Sequence, residues 1–480
     1  MERSKNAPYI KNRTMNKIIT LLCCMFVALQ LMASDGIADF LKEEQRMEVR
    51  RHPRASRGDS VELKTMHITL SEAGTLEAAL GDDIERVDSL YINGPVNDDD
   101  IKTMWKSTFY GYVSYLNLQD ADIEGKRLPD IAFYDSKEQH IGIYTYIIEL
   151  KEIVLPDDLE EIGEGAFYWA AGLEQITIPS SLTRIKESAF AFCGKLKTDP
   201  LILPIGIKTI EPYCFYGCHS LKNVILPESL ESIKVSSFYQ CALTEINLPE
   251  SLKSIELMAF TGSRLKKLFV PGNCNLTGMG IFSSCFELTD VYISDGITNI
   301  PERFLYQGIS ISELRIPCSV TTIGRDAFKG LYALENLYLE EGLSEIGDEA
   351  FMNSSLKQLV LPSTLCSMGN NSFYGNSKFE RIYCKAVIPP VQSTAFEDSQ
   401  KDVPLYVPVG TADAYRNATG WSMFTNIIET DSFPTSGAID ITVDVPQADG
   451  AKYDITGRRI ENPAKGQIYI QNGKKYIQPD

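Results

Sequence analysis

Short apolar runs closed by proline alternate with polar turns along the middle of this chain, at nearly constant spacing. In LKNVILPESLESIKVSSF, from Leu221 to Phe238, the residues Leu221, Val224 and Leu226 follow an L-x-x-L-x-L spacing. The last three residues of that spacing put two side chains inward and one outward on a strand. Pro227 removes a backbone donor and ends the strand. Leu230 and Ile233 supply a second inward pair, and Phe238 fills the remaining corner. The second pair recurs as Leu182 and Ile185, Ile207 and Ile210, Leu252 and Ile255, Val320 and Ile323, Leu343 and Ile346, and Leu365 and Met368.

The corner residue recurs as Phe167, Phe190, Phe215, Phe238, Phe260, Phe282, Phe304, Phe328, Phe351, Phe373 and Phe396, at steps of 22 to 25 residues. Most of these lie eleven residues after the strand-ending proline, as Phe328 does after Pro317. A fixed period of this length predicts a repeat solenoid of mostly β coils of about 23 residues, because no single coil buries both of its edges. Stacking at roughly 4.8 Å per coil gives a sheet face about 50 Å long. Two coils depart from the pattern. Pro271 to Phe282 places Cys274 and Thr277 where the second apolar pair belongs, and Ser294 to Phe304 lacks the proline and is one residue short. A bulge or twist in the stack is expected there.

The unit resembles the BspA-like leucine-rich repeats of bacterial surface proteins, which run roughly L-x-x-I-x-I-P-x-x-V-x-x-I-G-x-x-A-F. Ile316-Pro317, Val320, Ile323-Gly324 and Ala327-Phe328 carry the likeness, with Ile346-Gly347 and Ala350-Phe351, and Ile162-Gly163 and Ala166-Phe167. It covers about Ile153 to Phe396. Ile68 to Phe133 resembles the amino-terminal region that precedes such repeats in Bacteroidetes proteins, with Leu90-Tyr91-Ile92 and Leu116-Asn117-Leu118 as irregular early coils. The resemblance implies a non-enzymatic adhesin of the cell surface.

Residues 1–34 read as a secretory signal, with MNKIITLLCCMFVALQLMAS from Met15 to Ser34 as its core and 1–14 as an upstream extension. A polar, arginine-rich linker spans 35–64, an amino-terminal irregular or cap region 65–150, and the repeats 151–400. A closing unit follows at 401–430; it resembles the strand and short helix found after these repeats and would shield the last coil. Residues 431–480 read as a linker and a small β tail, with YDITGRRI, QIYIQ and the turn Asn472-Gly473 before KKYIQ. That tail resembles sorting-type segments of secreted Bacteroidetes proteins. No stretch after the signal is long and apolar enough for a membrane-spanning helix. The chain is therefore expected to be secreted or held at the outer cell surface.

A formal charge of −18 over 480 residues argues against nucleic acid as a partner, since phosphates need a basic face. Of eleven cysteines, Cys23 and Cys24 fall in the signal, which leaves nine. Cys193, Cys218, Cys241 and Cys285 each follow a coil phenylalanine by three residues, in a slot held elsewhere by Ala170, Ser263 or Ser354. They read as small buried side chains, while Cys193, Cys218 and Cys241 on adjacent coils could also bridge in an oxidising compartment. None of the four histidines, His52, His67, His140 and His219, belongs to a catalytic motif. Cys214, Cys218 and His219, which cluster as a conceivable zinc site, are set aside because Cys218 belongs to the inward repeat column. Gly278-Met279-Gly280 opens no phosphate-binding helix. We assign no catalytic residue, metal or cofactor.

Binding is placed on the outward residue of each first strand: Val154, Thr177, Ile202, Ile225, Asn247, Phe269, Tyr292, Arg315, Tyr338, Val360 and Tyr383. Phe269, Tyr292, Arg315, Tyr338 and Tyr383 make an aromatic strip containing an arginine, and Tyr and Arg dominate interface energetics. Aromatic and β-branched residues also simply suit strands. Arg57-Gly58-Asp59, followed by Ser60, spells the string by which integrins recognise matrix proteins. The expected partner is a protein or glycan on host cells, matrix or other bacteria, the glycan alternative using stacked Tyr and Phe.

Overall fold

The computed structural model describes residues 63–109, 112–134 and 150–434, together with four short strands of the tail. The signal, residues 35–62 of the linker with Arg57, Gly58 and Asp59, and His52 and His140 lie outside the described residues, whereas Lys64 at the linker's end already belongs to a strand.

The chain winds as a parallel β solenoid. First strands pair coil to coil, with Leu116 opposite Ile153 and Ile153 opposite Ile176. Further along, Leu314 faces Leu337 and Leu359 faces Ile382. Second strands form a separate ladder in which Ile210, Ile233, Ile255 and Leu276 stand in register. Val224 and Leu226 are buried while Ile225 between them is 47% exposed, which is the alternation a strand end requires. A third ladder runs at the corners, where Ser236, Phe238 and Gln240 donate their amides to the carbonyls of Leu257, Ala259 and Thr261 at 2.8 to 2.9 Å.

This corner geometry needs left-handed backbone two residues before and two after the corner. Met258 (φ 53°) and Glu349 (φ 57°) occupy the first position, and Gln240 (φ 54°) and Asn353 (φ 61°) the second. Such a conformation costs about 1–2 kcal/mol for a residue with a Cβ, and the corner ladder offsets it. Glycine meets the need without that cost at Gly262 (φ 73°).

The corner phenylalanines are buried and stack ring on ring. Centroids from Phe133 through Phe282, and from Phe328 through Phe396, are 5.1 to 5.7 Å apart with planes within 18°. Phe133 thus begins the column one coil before Phe167.

Both coils flagged by sequence are resolved differently from expectation. In the first, Leu276 rather than Thr277 turns inward, 5% exposed and opposite Ile255. In the second, Phe304 is not the corner residue. The left-handed positions are Arg303 and Gln307, and the amide of Leu305 bonds the carbonyl of Ala327 at 2.8 Å. Leu305 is therefore the corner, and the coil is not short. Phe304 takes the slot held elsewhere by Ala327 or Ala350, and its ring stands at 86° to both Phe282 and Phe328. The second-strand ladder is interrupted beside this coil, between Leu276 and Asn299.

The amino-terminal region continues the same sheet. Strand Lys64–Thr69 pairs with Val87–Val96, which pairs with Tyr115–Asn117. Helix Asp98–Phe109 buries Ile101, Met104, Trp105 and Phe109 against it. At the other end, Tyr415, Trp421 and Phe424 close the core, with Phe424 edge-on to Phe396 at 5.3 Å. In the tail, Lys452–Asp454, Arg459–Ile460, Ile468–Gln471 and Lys474–Ile477 form an antiparallel sheet, with Gln471 opposite Lys474 across Asn472-Gly473.

Candidate binding face on the first strands

Each first strand is too short to bury more than its two inward residues, so its middle side chain must face out. Register places Phe269 beside Tyr292, Arg315 beside Tyr338, and Val360 beside Tyr383. The five strip residues therefore lie on one face. Tyr292 is 40% exposed, whereas Phe269, Tyr338 and Tyr383 are half-buried by their neighbours.

The rings shield one another. Phe269 and Tyr292 stack at 5.1 Å with planes 8° apart, and Tyr383 stacks on Tyr406 at 4.6 Å and 17°. The stacked faces of these pairs are turned toward one another, from coil to coil. Arg315 sends Nη2 to Glu340 Oε1 at 3.1 Å, while its Nε has no hydrogen-bond partner. Burial and the nearby Glu313 carboxylate push the Tyr338 phenol above its ordinary range.

The column is longer than its regular spacing reveals. Tyr406, on the closing strand Leu405–Pro408, extends it past Tyr383. At the other end, His67 stands opposite Tyr91 and stacks on it at 4.2 Å, and Tyr91 stands opposite Asn117, which precedes Val154 in the column. Early coils of unequal length hide these residues from a period search.

The remaining candidates have structural roles. Cys193, Cys218 and Cys241 donate their thiols to the carbonyls of Phe167, Phe190 and Phe215 at 3.0 to 3.2 Å. Asn376 does the same for Phe351 at 2.9 Å. The slot is thus buried, as a small side chain there was expected to be, and also a hydrogen-bonding one, and all three thiols are free rather than bridged. Burial pushes Cys193 and Cys241 far above the ordinary thiol range, Cys285 up to about 11 and Cys274 up to about 12. His219 Nδ1 lies 3.0 Å from the Gln240 carbonyl. A Cβ at Gly278 would fall 2.0 Å from the Leu257 amide nitrogen, so that glycine serves coil packing. The buried Asp100 carboxylate accepts the amides of Gly74, Leu76 and Asn97. The buried Asp326 carboxylate meets Arg303, Arg325 and Lys329. Among the described residues no group of three or more His, Cys, Asp or Glu side chains could hold a metal ion.

Comparison with known proteins agrees with this geometry. The family model for the BspA type leucine rich repeat region matches in six copies over residues 137–201, 198–308 and 298–408, more than half of the 480 residues. No curated protein matches the chain. Among solved structures, a leucine-rich repeat protein from Bacteroides ovatus is 19% identical, over 60% of this chain and 82% of its own, with a TM-score of 0.40. A leucine rich cell surface protein from Faecalibacterium prausnitzii is 20% identical over 72% and 80%, with a TM-score of 0.35. The pneumococcal vaccine antigen PcpA is 21% identical over the same shares, with a TM-score of 0.38. The repeated coil, the paired strands and the family match together establish that this chain belongs to the BspA-type leucine-rich repeat family.

Proposed function

We propose that this chain is an exported, non-enzymatic binding protein of the cell surface, an adhesin whose first-strand face engages a protein partner. The observation that carries this reading is the outward column in which Phe269, Tyr292, Arg315, Tyr338, Val360, Tyr383 and Tyr406 hold the outward positions of successive coils. A rigid row of tyrosines and an arginine costs little conformational entropy to dock and combines apolar edges with directed hydrogen bonds. Many weak contacts on a surface-displayed solenoid then add as avidity. The export part of the reading rests on the signal at Met15–Ser34. Among the described residues no helix is long and apolar enough to cross a membrane.

A protein partner is favoured over a glycan on the ring geometry. A sugar ring packs against an aromatic face, and Phe269 and Tyr292, like Tyr383 and Tyr406, each cover one face of the other. The non-enzymatic part rests on the engagement of Asp100, Asp326 and His219 in structural contacts.

Arg315→Ala and Tyr338→Ala, each in the full chain, test the reading by titration against a captured partner. Loss of affinity in both variants, unaffected by added oligosaccharides, is the expected result. Competition by a defined oligosaccharide would replace the protein partner with a glycan.

A further inference from the structure

The edge of the solenoid just before the first strands carries an asymmetry of charge and apolarity that the strip does not explain. One residue per coil there forms a column of successive amide-to-carbonyl contacts. Near its start Lys197 pairs with Glu174 at 2.6 Å, and near its end Lys357 pairs with Glu335 at 2.6 Å. Between these alternating pairs the column reads Lys222, Thr244, Lys266, Thr289 and Ser312. Lys266 thus has uncharged column neighbours, and Lys222 lies between Lys197, already paired with Glu174, and Thr244. Arg264 and Lys267 flank Lys266 on the same coil and are also exposed. None of the four cations closes an ion pair among the described residues, although Glu245, Glu287 and Asp290 lie on flanking positions.

On the next three coils the column beside it turns apolar. Phe286, Ile309 and Tyr332 recur at steps of 23 residues and are 44%, 41% and 57% exposed. Their backbone offers few competing acceptors, because Ser310 Oγ and Ser355 Oγ donate to the carbonyls of Phe286 and Tyr332 at 2.8 Å. The uncharged Thr289 and Ser312 lie beside this apolar half.

We propose that this edge, from Lys222 to Tyr332, docks an extended polypeptide segment of a protein partner in which a run of acidic residues adjoins a run of apolar ones. The charge complementarity fixes the class of segment and which end of the edge its acidic part covers. Carboxylates meet Lys222, Arg264, Lys266 and Lys267 on a chain whose net charge of −18 otherwise repels them. The apolar residues then cover Phe286, Ile309 and Tyr332. Five coil steps at roughly 4.8 Å span about 24 Å, the length of about seven extended residues. The inference rests on the chain being a binding protein, but not on use of the first-strand strip.

The test is selection from a random peptide display library on the full chain, followed by titration of one enriched peptide. The variants are Lys222→Glu with Lys266→Glu, and Phe286→Ser with Ile309→Ser and Tyr332→Ser. Lys266→Gln and Ile309→Thr serve as milder variants that change only exposed atoms. Enriched peptides with an acidic run adjoining an apolar one, in either order, are expected. Binding should weaken about tenfold or more in each multiple variant and weaken with rising salt, and be unchanged in Arg315→Ala. Enrichment without that pattern, no enrichment, or affinity retained in variants with wild-type melting curves would overturn the proposal. Loss in Arg315→Ala alone would also overturn it, and would leave the strip reading standing.

Discussion

The amide of Phe282 donates to the carbonyl of Phe304 at 3.0 Å, whereas the amide of Phe328 donates to the carbonyl of Ala350 at 2.8 Å. Phe304 and Ala350 therefore hold the same position in their coils, and the corner of the irregular coil belongs to Leu305. The coil places its ring one position early: Phe304-Leu305 stands where the following coil carries Ala327-Phe328 and the preceding one Ile281-Phe282. The perpendicular ring of Phe304 is the packing consequence, since a ring entering one position early cannot lie parallel to Phe282 and Phe328.

Leu305→Ala is accordingly expected to cost about 2–5 kcal/mol and Phe238→Ala about 3–5 kcal/mol, as fully buried side chains. Phe304→Ala combined with Leu305→Phe restores the common order and should destabilise less than the sum of Phe304→Ala and Leu305→Ala. Denaturant unfolding of the four variants measures this. A Leu305→Ala midpoint equal to wild type would return the corner to Phe304.

Much of this was legible because the repeat is redundant. The inward columns could be checked against many coils, so Leu230, Ile233 and Phe238 were assigned correctly from spacing alone. The misread residues are those where one coil differs: Thr277 for Leu276, and Phe304 for Leu305. An average period cannot place a one-residue exchange, whereas the backbone ladder does. Phe133 and Tyr91 were hidden by coils of other lengths; 34 residues separate Phe133 from Phe167. Alternation told which strip residues point outward. It could not tell that Phe269 and Tyr292 would shield each other's faces, because ring rotation is set by packing between coils.

Glycine positions separate close coil contact from mere flexibility. A Cβ at Gly369 would lie 2.3 Å from the Asp348 amide nitrogen, so Gly369→Ala is expected to cost about 1–3 kcal/mol by overpacking. At Gly194 the nearest atom is His219 Cδ2 at 3.9 Å, and Gly194→Ala should be neutral or stabilise by up to about 1 kcal/mol. Paired thermal melts check the contrast, and equal shifts in the two variants would refute it.

Thiol accessibility follows the ladder. Cys318 and Cys366 are exposed, whereas Cys193, Cys214, Cys218, Cys241, Cys274, Cys285 and Cys384 are buried. A thiol reagent should label the first two quickly in the native protein and the other seven only with denaturant. Native labelling of Cys241 at the rate of Cys366 would contradict the burial of the column.

The inter-coil ion pairs give stability an acid limb. Hydrogen bonds from Lys197 and Lys357 hold Glu174 and Glu335 below the usual carboxylate range. A depressed carboxyl contributes fully above its unfolded value, about 4.3, and loses that contribution as pH falls through the folded value. Lys357, raised by Glu335, contributes below its unfolded value and loses the contribution as pH rises through the folded one. Melting temperature should therefore drop below about pH 4.3, and Glu174→Gln with Glu335→Gln should flatten that drop. An unchanged acid limb would show these exposed pairs to be inert.

The most direct test of the binding claim uses residues 35–429 beside a variant with Phe269, Tyr292, Arg315, Tyr338 and Tyr383 all changed to Ala. Both are passed over an array of immobilised extracellular proteins and glycans, after their melting curves have been shown to agree. The account expects a saturable protein partner that the variant has lost. A partner bound equally by the variant would contradict the first-strand face as the site.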